Sequence, residues 1–370
     1  MPTAPPDIAL YRLKVPLREP YHLSFGPVLR FDTIVVEMAH ADGARGYGEA
    51  TVLTGYTDET IEDAWATAQS LAERIARAPA TAQQAIHELT ATHPFTATAF
   101  GTALDMLHGH PMLAVERPVS VPVVGLLRAH EEPEMEQEIE GLLRLGYRTL
   151  KLKVGFELER DIAFVRAAQR LNRGRARLRI DANQAYDITE ARRFVNSVPP
   201  DDIELFEQPC AAGDWDAHMA VARVSRLPLM LDESIYGLAD IERAADLGAA
   251  KYIKLKLMKL ATLDALAAAI TRIRTLDMQP VLGNGVACDI GCWMEACVAA
   301  RLIDNAGEMN GYLKACGSLL HEPPPFREGA IQLLPDYRPT LDRDALERYT
   351  EDRWVASAAR KSPVTAKEAP

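Results

Sequence analysis

Short apolar runs alternate with polar breaks and helical stretches from about residue 120 to residue 320. The strand-like runs are "VPVVGLL" (121–127), "TLKLKVG" (149–155), "LRIDANQ" (178–184), "IELFEQP" (203–209), "PLMLDES" (228–234), "YIKLKL" (252–257), "PVLGNG" (280–285) and a weaker "AGEMNG" (306–311). Segments between them, such as "ELERDIAFVRAAQRL", carry apolar residues at i, i+3, i+4 and i+7, the spacing of an amphipathic helix. Strands that alternate with crossover helices predict a parallel sheet.

Eight such units in about 200 residues predict an α/β fold, a (β/α)8-type TIM barrel over 121–321. A doubly wound open sheet is the alternative, although no Gly-rich phosphate loop follows the first strands. Residues 1–120 begin with two strand-like stretches and a hairpin turn at "ADGA", followed by helices, which predicts an α+β capping domain. The segment after 320 is Pro-rich; we expect 322–360 to complete the capping domain and 361–370 to form a flexible tail.

Composition limits the classes of partner. The 41 basic and 52 acidic residues give a formal net charge of −11, which argues against nucleic acid or an anionic membrane and favours a small-molecule substrate. The start of the chain lacks the pattern of a signal peptide, and no apolar run approaches the ~18 residues of a membrane span, so we expect a cytoplasmic protein. The five cysteines are scattered and predict neither a zinc site nor a disulfide framework.

A charged residue stands at the end of each of five consecutive runs. These residues are Lys153, Asp181, Glu207, Asp232 and Lys256, separated by 28, 26, 25 and 24 residues. In parallel α/β folds the functional groups gather at the carboxyl ends of the strands. Three converging carboxylates in a low-dielectric site are costly without a cation, and oxygen ligands with open positions suit Mg²⁺. The alternative interpretation is that these carboxylates belong to solvated loop residues. It suits any single one of the three carboxylates better than it suits all three together.

The two lysines flank the carboxylates on the predicted second and sixth strands, on opposite sides of an eight-stranded ring. A substrate between them would therefore meet one ammonium group on each face. Lys151 lies on the same strand face as Lys153. Its positive charge and partial burial are both expected to lower the pKa of the lysine toward the value that a general base needs. The chemistry that uses these parts is abstraction of the proton next to a carboxylate, with a metal stabilising the enediolate.

At these residues the sequence resembles the enolase superfamily, in its muconate-lactonizing-enzyme-like subgroup. The motifs that carry the resemblance are Lys151-Leu152-Lys153, "DAN" with Asp181, "EQP" with Glu207, "DES" with Asp232, "KLMK" opening on Lys256, and "GYGEA" (46–50) in the capping segment. The resemblance implies one divalent ion, Mg²⁺ with Mn²⁺ as the alternative, held by the three carboxylates, with Lys153 and Lys256 as the acid/base pair.

The resemblance also assigns supporting positions. "LKLMKLATL" aligns with the family's "IKLMKxGGL", so Lys256 is the base and Lys254 lies one alternation deeper; the usual two glycines are Ala261-Thr262 here. Lys151 and Lys254 are then electrostatic neighbours of the lysine pair. Asn183 and Glu233 are expected to orient a ligand or to pair with Lys256.

Substrate contacts are expected in the capping loops and at the last strands. Specificity in the family comes from loops that match "HLSFGP" (22–27) and "TVLTGYTD" (51–58), where His22 and Tyr56 are candidates. Tyr312 is expected to face Tyr56, and the two rings together could hold a quaternary or protonated amine by cation–π contact, with simple packing of either ring as the alternative. Asn284 lies in a glycine turn that opens a helix, where a substrate carboxylate could bind. The last predicted contact is Glu308.

Two features of the sequence narrow the choice of subgroup within this superfamily. The mandelate racemase subgroup has a histidine after the seventh strand, and "VLGNGVACD" has none. Dipeptide epimerases carry Asp-x-Asp at the eighth strand to hold the substrate ammonium, where this chain has Glu308-Met309-Asn310, so a dipeptide substrate is not expected.

The sequence therefore predicts a Mg²⁺-dependent racemase or epimerase acting on an amino acid or an N-substituted derivative. Cycloisomerisation or elimination on a related acid, by a dehydratase or lyase, is the alternative, with one lysine as base and the other only a cation. A non-catalytic protein that kept the barrel would show a broken constellation, and all five positions are intact. By analogy with the family, a homo-oligomer is expected.

Overall fold

A computed structural model describes residues 6–23, 26–53 and 57–356. Its strands are β1 (Asp7–Leu23), β2 (Gly26–Ala39), β3 (Arg45–Thr51), β4 (Val119–Pro122), β5 (Gly125–Leu127), β6 (Thr149–Lys153), β7 (Arg177–Asp181), β8 (Ile203–Glu207), β9 (Leu229–Leu231), β10 (Tyr252–Leu255), β11 (Gln279–Leu282), β12 (Phe326–Arg327), β13 (Ala330–Leu333) and β14 (Thr350–Ala356). Its α-helices are α1 (Ile61–Arg77), α2 (Ala82–Thr90), α3 (Pro94–Leu107), α4 (Glu132–Arg144), α5 (Leu158–Asn172), α6 (Ile188–Ser197), α7 (Trp215–Ala222), α8 (Leu238–Leu247), α9 (Leu263–Thr275), α10 (Asp289–Leu302) and α11 (Arg343–Tyr349). No helix in the described part of the chain has both the length and the apolar character needed to cross a bilayer.

A parallel sheet forms the centre of the molecule. Its seven strands follow one another in chain order from β5 to β11, and helices α4 to α9 supply the crossovers between them. The register pairs Lys153 with Asp181 and Asp181 with Glu207, so the last residues of three adjacent strands lie side by side. This arrangement confirms the predicted α/β class with a parallel sheet.

The weak eighth run, at 306–311, hydrogen-bonds to segments at both edges of this sheet. The amide of Gly307 donates to the carbonyl of Pro122 (2.9 Å), and its carbonyl accepts from the amide of Val124 (2.9 Å), in the segment that leads into β5. The amide of Glu308 donates to the carbonyl of Leu282 at the end of β11 (3.0 Å). Residues 307 and 308 therefore connect the segment before β5 with the end of β11.

The N-terminal segment forms a second, antiparallel sheet in the order β14-β1-β2-β3, with α1, α2 and α3 packed against it. Strand β14 lies near the other end of the chain, and Ala356 pairs with Ile8. A third small sheet has the order β12-β13-β4. The chain after 320 thus returns to the N-terminal sheet, although the predicted domain boundaries at 120 and 321 remain predictions.

Helix α3 joins the N-terminal sheet to the parallel sheet. The hydroxyl of Thr98 lies 3.2 Å from the carbonyl of Leu257 and accepts from the amide of Ala261 (3.1 Å), in the turn that follows Lys256. On its other side, α3 packs closely on β3, because Gly48 has no side chain: a Cβ there would lie 2.0 Å from the carbonyl oxygen of Ala99. The position of β3 therefore fixes the helix that contacts the turn after Lys256.

We expect Gly48→Ala to lower the free energy of unfolding by about 2 kcal/mol or more, because the added methyl group overlaps the backbone of α3. Gly213→Ala is the matched control, since nothing lies within 4 Å of its added Cβ; it should change stability by less than about 1 kcal/mol. Denaturant unfolding of the three proteins measures both effects. Equal stability of the two variants would contradict the proposed close packing.

Candidate active site

Charged side chains gather where the parallel strands end. Strand β6 ends at Lys153, β7 at Asp181 and β8 at Glu207, while Asp232 directly follows β9 and Lys256 directly follows β10. A cavity of about 40 Å³ opens among them; its described lining residues are Tyr21, Leu53, Lys151, Lys153, Asp181, Asn183, Glu207, Asp232, Lys254, Lys256, Met258, Asn284, Gly285, Val286 and Glu308. The five residues selected by their spacing in the sequence thus line one cavity, here called the strand-end cavity.

Two lysines bridge the three carboxylates at the base of this cavity. The ammonium of Lys151 lies 2.9 Å from Oδ2 of Asp181 and 2.7 Å from Oε2 of Glu207. The ammonium of Lys254 lies 3.0 Å from Oε1 of Glu207 and 3.7 Å from Oδ2 of Asp232. All of these side chains are buried, and buried carboxylates need such compensating charge. Each neighbouring pair of carboxylates therefore already shares a cation.

The other two lysines each contact one outer carboxylate. Nζ of Lys153 lies 2.6 Å from Oδ2 of Asp181, and Nζ of Lys256 lies 2.7 Å from Oδ2 of Asp232. Burial alone would lower the pKa of Lys153, yet the surrounding negative charge, Asp181 foremost, outweighs it and raises that pKa. The expectation of a lowered pKa is wrong for Lys153 in this arrangement, because the sequence shows Lys151 beside it but not the carboxylate in contact.

The pKa values of the carboxylates diverge according to their cationic partners. Burial tends to raise the pKa of each of them. For Asp181, the charges of Lys151 and other lysines overcome burial and lower the pKa to about 2. For Glu207, burial and the Asp181 charge win and raise the pKa to about 7. Among the three, Glu207 is thus the one whose charged form is disfavoured by its burial and by a neighbouring carboxylate.

The donor set at the strand ends suits a hard divalent cation, because it consists of carboxylate oxygens alone. In the present arrangement, no three Asp, Glu, His or Cys side chains in the described ranges are spaced to hold a metal ion. The ammonium groups of Lys151 and Lys254 stand between these carboxylates. Neighbouring carboxylates already share a cationic partner in pairs, so this set of oxygen donors fits a cation.

Asn183 connects the two halves of the cavity. Its carbonyl oxygen accepts from Lys153, and its amide nitrogen donates to Oε1 of Glu233 (3.0 Å). Its own backbone amide donates to Oδ1 of Asp181 (3.0 Å), and its φ of 42° lies in the left-handed region that asparagine tolerates. Asn183 thus contacts both Lys153 and Asp181, while its role in orienting a ligand remains a prediction.

Only some of the predicted substrate contacts line the strand-end cavity in the described part of the chain. Asn284 and Glu308 line the strand-end cavity, but both oxygens of Glu308 accept from Lys151 (2.9 and 3.0 Å) and Oε2 also accepts from Lys254. Glu308 is therefore a counter-ion of the lysines. The side chain of His22 and all of Tyr56 lie outside the described residues.

The structure contradicts the expectation that Tyr312 contacts substrate. Its ring packs in the hydrophobic core, and its hydroxyl donates to the carbonyl of Pro324 (3.2 Å). Tyr312 lies in a short 3₁₀ turn, Gly311–Lys314, just after the eighth run, and it does not line the strand-end cavity. Position in the sequence brings it near the strand end, whereas the turn directs its side chain toward residue 324.

Two buried charged residues near the cavity escaped the sequence analysis. Lys259 donates to the carbonyls of Asp232 (3.1 Å) and Ile235 (2.8 Å), and it is the last residue of "KLMK", which was a usable signal. Glu295 lies in the apolar helix α10 and accepts from the amide of Leu257 (2.9 Å). Glu295 and Asp289 are the two acids among the ten buried positions of α10, which was a signal for Glu295, but nothing local indicated its partner.

Comparison with known proteins identifies the family. The model of the enolase C-terminal domain-like family matches residues 134–339, which is more than half of the chain. This chain belongs to that family. The predicted kinship with the enolase superfamily is therefore confirmed. Its sequence is 33% identical over 270 residues to the L-Lys-D/L-Arg epimerase of Methylococcus capsulatus, covering 68% of this chain and 74% of that protein.

Solved structures show the same fold. The N-succinyl Arg/Lys racemase of Bacillus cereus superimposes with a TM-score of 0.82 at 22% identity, covering 95% of this chain and 99% of the other. The dipeptide epimerase of Cytophaga hutchinsonii, solved with Mg and the dipeptide D-Ala-L-Val, gives a TM-score of 0.83 at 20% identity, covering 94% and 98%. The family member described here therefore shares the architecture of these enzymes over nearly its whole length.

We expect Glu295→Gln to remove part of the pH dependence of stability. Burial raises the pKa of Glu295 to about 7, from 4.5 in a solvated chain. The folded protein thus binds this proton more tightly than the unfolded chain, and the resulting stabilisation is lost as the pH rises through about 7. Relative to the parent, the variant should gain about 2 kcal/mol more in unfolding free energy at pH 8 than at pH 5.5.

Denaturant unfolding at the two pH values measures this gain. Glu116→Gln, at an exposed glutamate, is the control and should show the same difference from the parent at both pH values. An equal effect of Glu295→Gln at pH 5.5 and pH 8 would show that the Glu295 carboxyl is not protonated in the folded protein.

Proposed function

We propose that this protein is a Mg²⁺-dependent racemase or epimerase that moves the proton next to a carboxylate. The single observation that carries the proposal is the placement of Lys153 and Lys256 at two different strand ends, each against an outer member of one carboxylate cluster. The similar proteins named above are epimerases and a racemase, so the expectation of an isomerase of the enolase superfamily is confirmed.

The two lysines would face each other only if the parallel sheet closes into a ring. We infer a closed eight-stranded barrel, because residues 307 and 308 hydrogen-bond to the segments at both edges of the sheet. The N-terminal sheet with α1 to α3, completed by β14, would then form the capping domain. In such a ring, Lys153 on the second strand and Lys256 after the sixth would face each other across the cavity.

Asp181, Glu207 and Asp232 would hold the Mg²⁺ ion. When bound, the ion would offset the negative charge that develops on the carboxylate oxygens of the substrate as its α-proton leaves. The carboxylates are three in number and come from adjacent strands, and Asn183 orients Asp181 through its backbone amide. Lys151 and Lys254, which bridge these carboxylates, would keep the remaining negative charge of the cluster compensated.

The two lysines would share the proton transfers. One lysine, in its neutral form, would take the α-proton from one face of the substrate, and the other, as an ammonium, would donate a proton to the opposite face. Both lysines donate to carboxylates in this structure, so each must exchange that contact for the substrate before it reacts. Because the two groups have equivalent chemistry, the reaction would run in both directions, as racemisation requires.

The proposed substrate is an amino acid or an N-substituted amino-acid derivative. The support comes from relatives whose names include L-Lys-D/L-Arg and N-succinyl-L-Arg/Lys compounds. Cycloisomerisation or elimination would use one lysine as base and leave the other as a fixed cation. Isotope exchange separates these reactions, because only a two-base enzyme labels both enantiomers.

In D₂O the protein should incorporate deuterium at the α-carbon of both enantiomers of a panel substrate such as N-succinyl-arginine. Lys153→Ala and Lys256→Ala should each lower racemisation by at least about 100-fold, and each should keep exchange on one enantiomer only, with opposite preference. NMR and polarimetry measure both quantities. Lys251→Ala, at an exposed lysine, is the control. Racemisation at the parental rate in both variants would refute the proposed roles.

Removal of divalent ions with EDTA should abolish this exchange, and Mg²⁺ should restore it. Asp232→Asn should raise the dissociation constant for Mg²⁺ by at least about tenfold, because one anionic ligand is lost. Asp277→Asn, at an exposed aspartate, should leave the constant unchanged. Calorimetric titration with Mg²⁺ alone measures these constants without turnover. Unaltered Mg²⁺ affinity of Asp232→Asn would exclude Asp232 as a ligand.

A further inference from the structure

One half-buried ammonium beside the strand-end cavity has no carboxylate partner among the described residues. The four lysines that line the cavity each lie within 3.0 Å of a carboxylate oxygen. Lys314 differs from them: Nζ donates to the carbonyl of Gly285 (2.8 Å) and to Oδ1 of Asn310 (3.0 Å), and it lies 4.6 Å from the ring centroid of Tyr21. Within the described ranges, no ion pair joins Lys314 to an acidic side chain. An ammonium that is held by neutral acceptors can take an anion as a further partner.

Gly285 opens the cavity wall toward this ammonium. A Cβ at Gly285 would lie 3.2 Å from the hydroxyl oxygen of Tyr21, 3.3 Å from Nζ of Lys314 and 3.8 Å from Oδ1 of Asn310. Gly285 and Tyr21 both line the strand-end cavity. Because Gly285 has no side chain, a hydroxyl donor and an ammonium converge on a point at the edge of the cavity. This point is here called the Gly285 corner.

The charge of the Gly285 corner is positive. The neighbouring carboxylate, Glu308, already accepts from Lys151 and Lys254 and is not available to compensate Lys314. Asn310 is neutral, and its amide nitrogen donates to the carbonyl of Val124 (3.2 Å). Although burial raises the pKa of Tyr21, the charges of Lys314 and of other lysines outweigh it and lower that pKa. A substrate ammonium would therefore be repelled here, whereas an anionic group would be attracted.

We infer that Lys314 and Tyr21, at the Gly285 corner, bind a second anionic group of the substrate, with Asn310 positioning Lys314. This inference rests on the proposed function, in which the reacting carboxylate lies at Asp181, Glu207 and Asp232. The substrate is then an amino acid whose nitrogen carries an acyl group ending in a carboxylate. A dipeptide, whose acyl group carries an ammonium, is the wrong charge for this corner.

Binding of three ligands that differ only in the charge of the acyl group tests the inference. These ligands are N-succinyl-L-alanine, N-acetyl-L-alanine and L-alanyl-L-alanine, titrated calorimetrically into the whole protein with Mg²⁺. The succinyl compound should bind at least about tenfold more tightly than the acetyl compound, and the dipeptide most weakly. Lys314→Met should reduce this preference to less than about threefold.

Gly285→Ala provides a second, independent variant. Its backbone is not in the left-handed region, and the added methyl group would meet only the ends of the Tyr21, Lys314 and Asn310 side chains. The methyl group should fill the opening and reduce the preference for the succinyl compound in the same way. Lys251→Met and Gly141→Ala are the matched controls, because the first is an exposed lysine and nothing lies within 4 Å of a Cβ at Gly141. Both controls should keep the parental preference.

The inference is overturned if the parent shows no preference for the succinyl compound, or if Lys314→Met and Gly285→Ala both keep it. Should Lys314→Met fail to fold, as judged by circular dichroism, Gly285→Ala decides alone. Exchange in D₂O is measured in parallel. Binding that depends on Lys314 without any α-exchange would refute the proposed function and keep the inference. If α-exchange occurs but the preference for the succinyl compound does not depend on Lys314, the proposed function stands and the inference is refuted.

Discussion

The site depends on a network of buried ion pairs at the ends of parallel strands. Four lysines and four carboxylates alternate around one small cavity; they are Lys151, Lys153, Lys254, Lys256, Asp181, Glu207, Asp232 and Glu308. None of these charges is tolerable alone in a buried position, and each is compensated by a neighbour from another strand. The network therefore requires the strands to keep their register, since a shift of one residue would turn each of these side chains to the opposite face.

The same network bears on the proposed proton transfer from a weak carbon acid. Its central carboxylate, Glu207, has a raised pKa because it is buried beside the charge of Asp181, while the outer carboxylate Asp181 has a lowered one. A cation added beside Glu207 would offset the charge that these two carboxylates share. The lysines that now contact the outer carboxylates would then be available to a substrate on both sides. In such a site, contacts with a metal ion and a substrate would replace some of the internal ion pairs, with little change in the net charge of the site.

Elements outside the parallel sheet hold this arrangement in place. The turn after Lys256 is fixed on one side by Thr98 of α3 and on the other by Glu295 of α10. Helix α3 in turn contacts β3 closely at Gly48. The N-terminal sheet thus acts on the site through the packing of one helix, in addition to any contact that its loops make with substrate. At the opposite wall, Tyr21 of β1 and Lys314 meet beside Gly285 and set the charge of that corner.

The sequence by itself determined the α/β class, the order of the parallel strands and the five charged strand ends. It did so because hydrophobic periodicity is local, and because strands separated by one crossover helix must end at the same edge of the sheet. The tertiary structure alone decided which charges pair. Glu308 is 157 residues from Lys151 in the chain, and Leu257 is 38 residues from Glu295, so no local pattern indicates these contacts. It also turned Tyr312 into the core and left Lys314 without a carboxylate partner in the described part of the chain, because the direction of a side chain after a strand ends depends on the turn and on what packs against it.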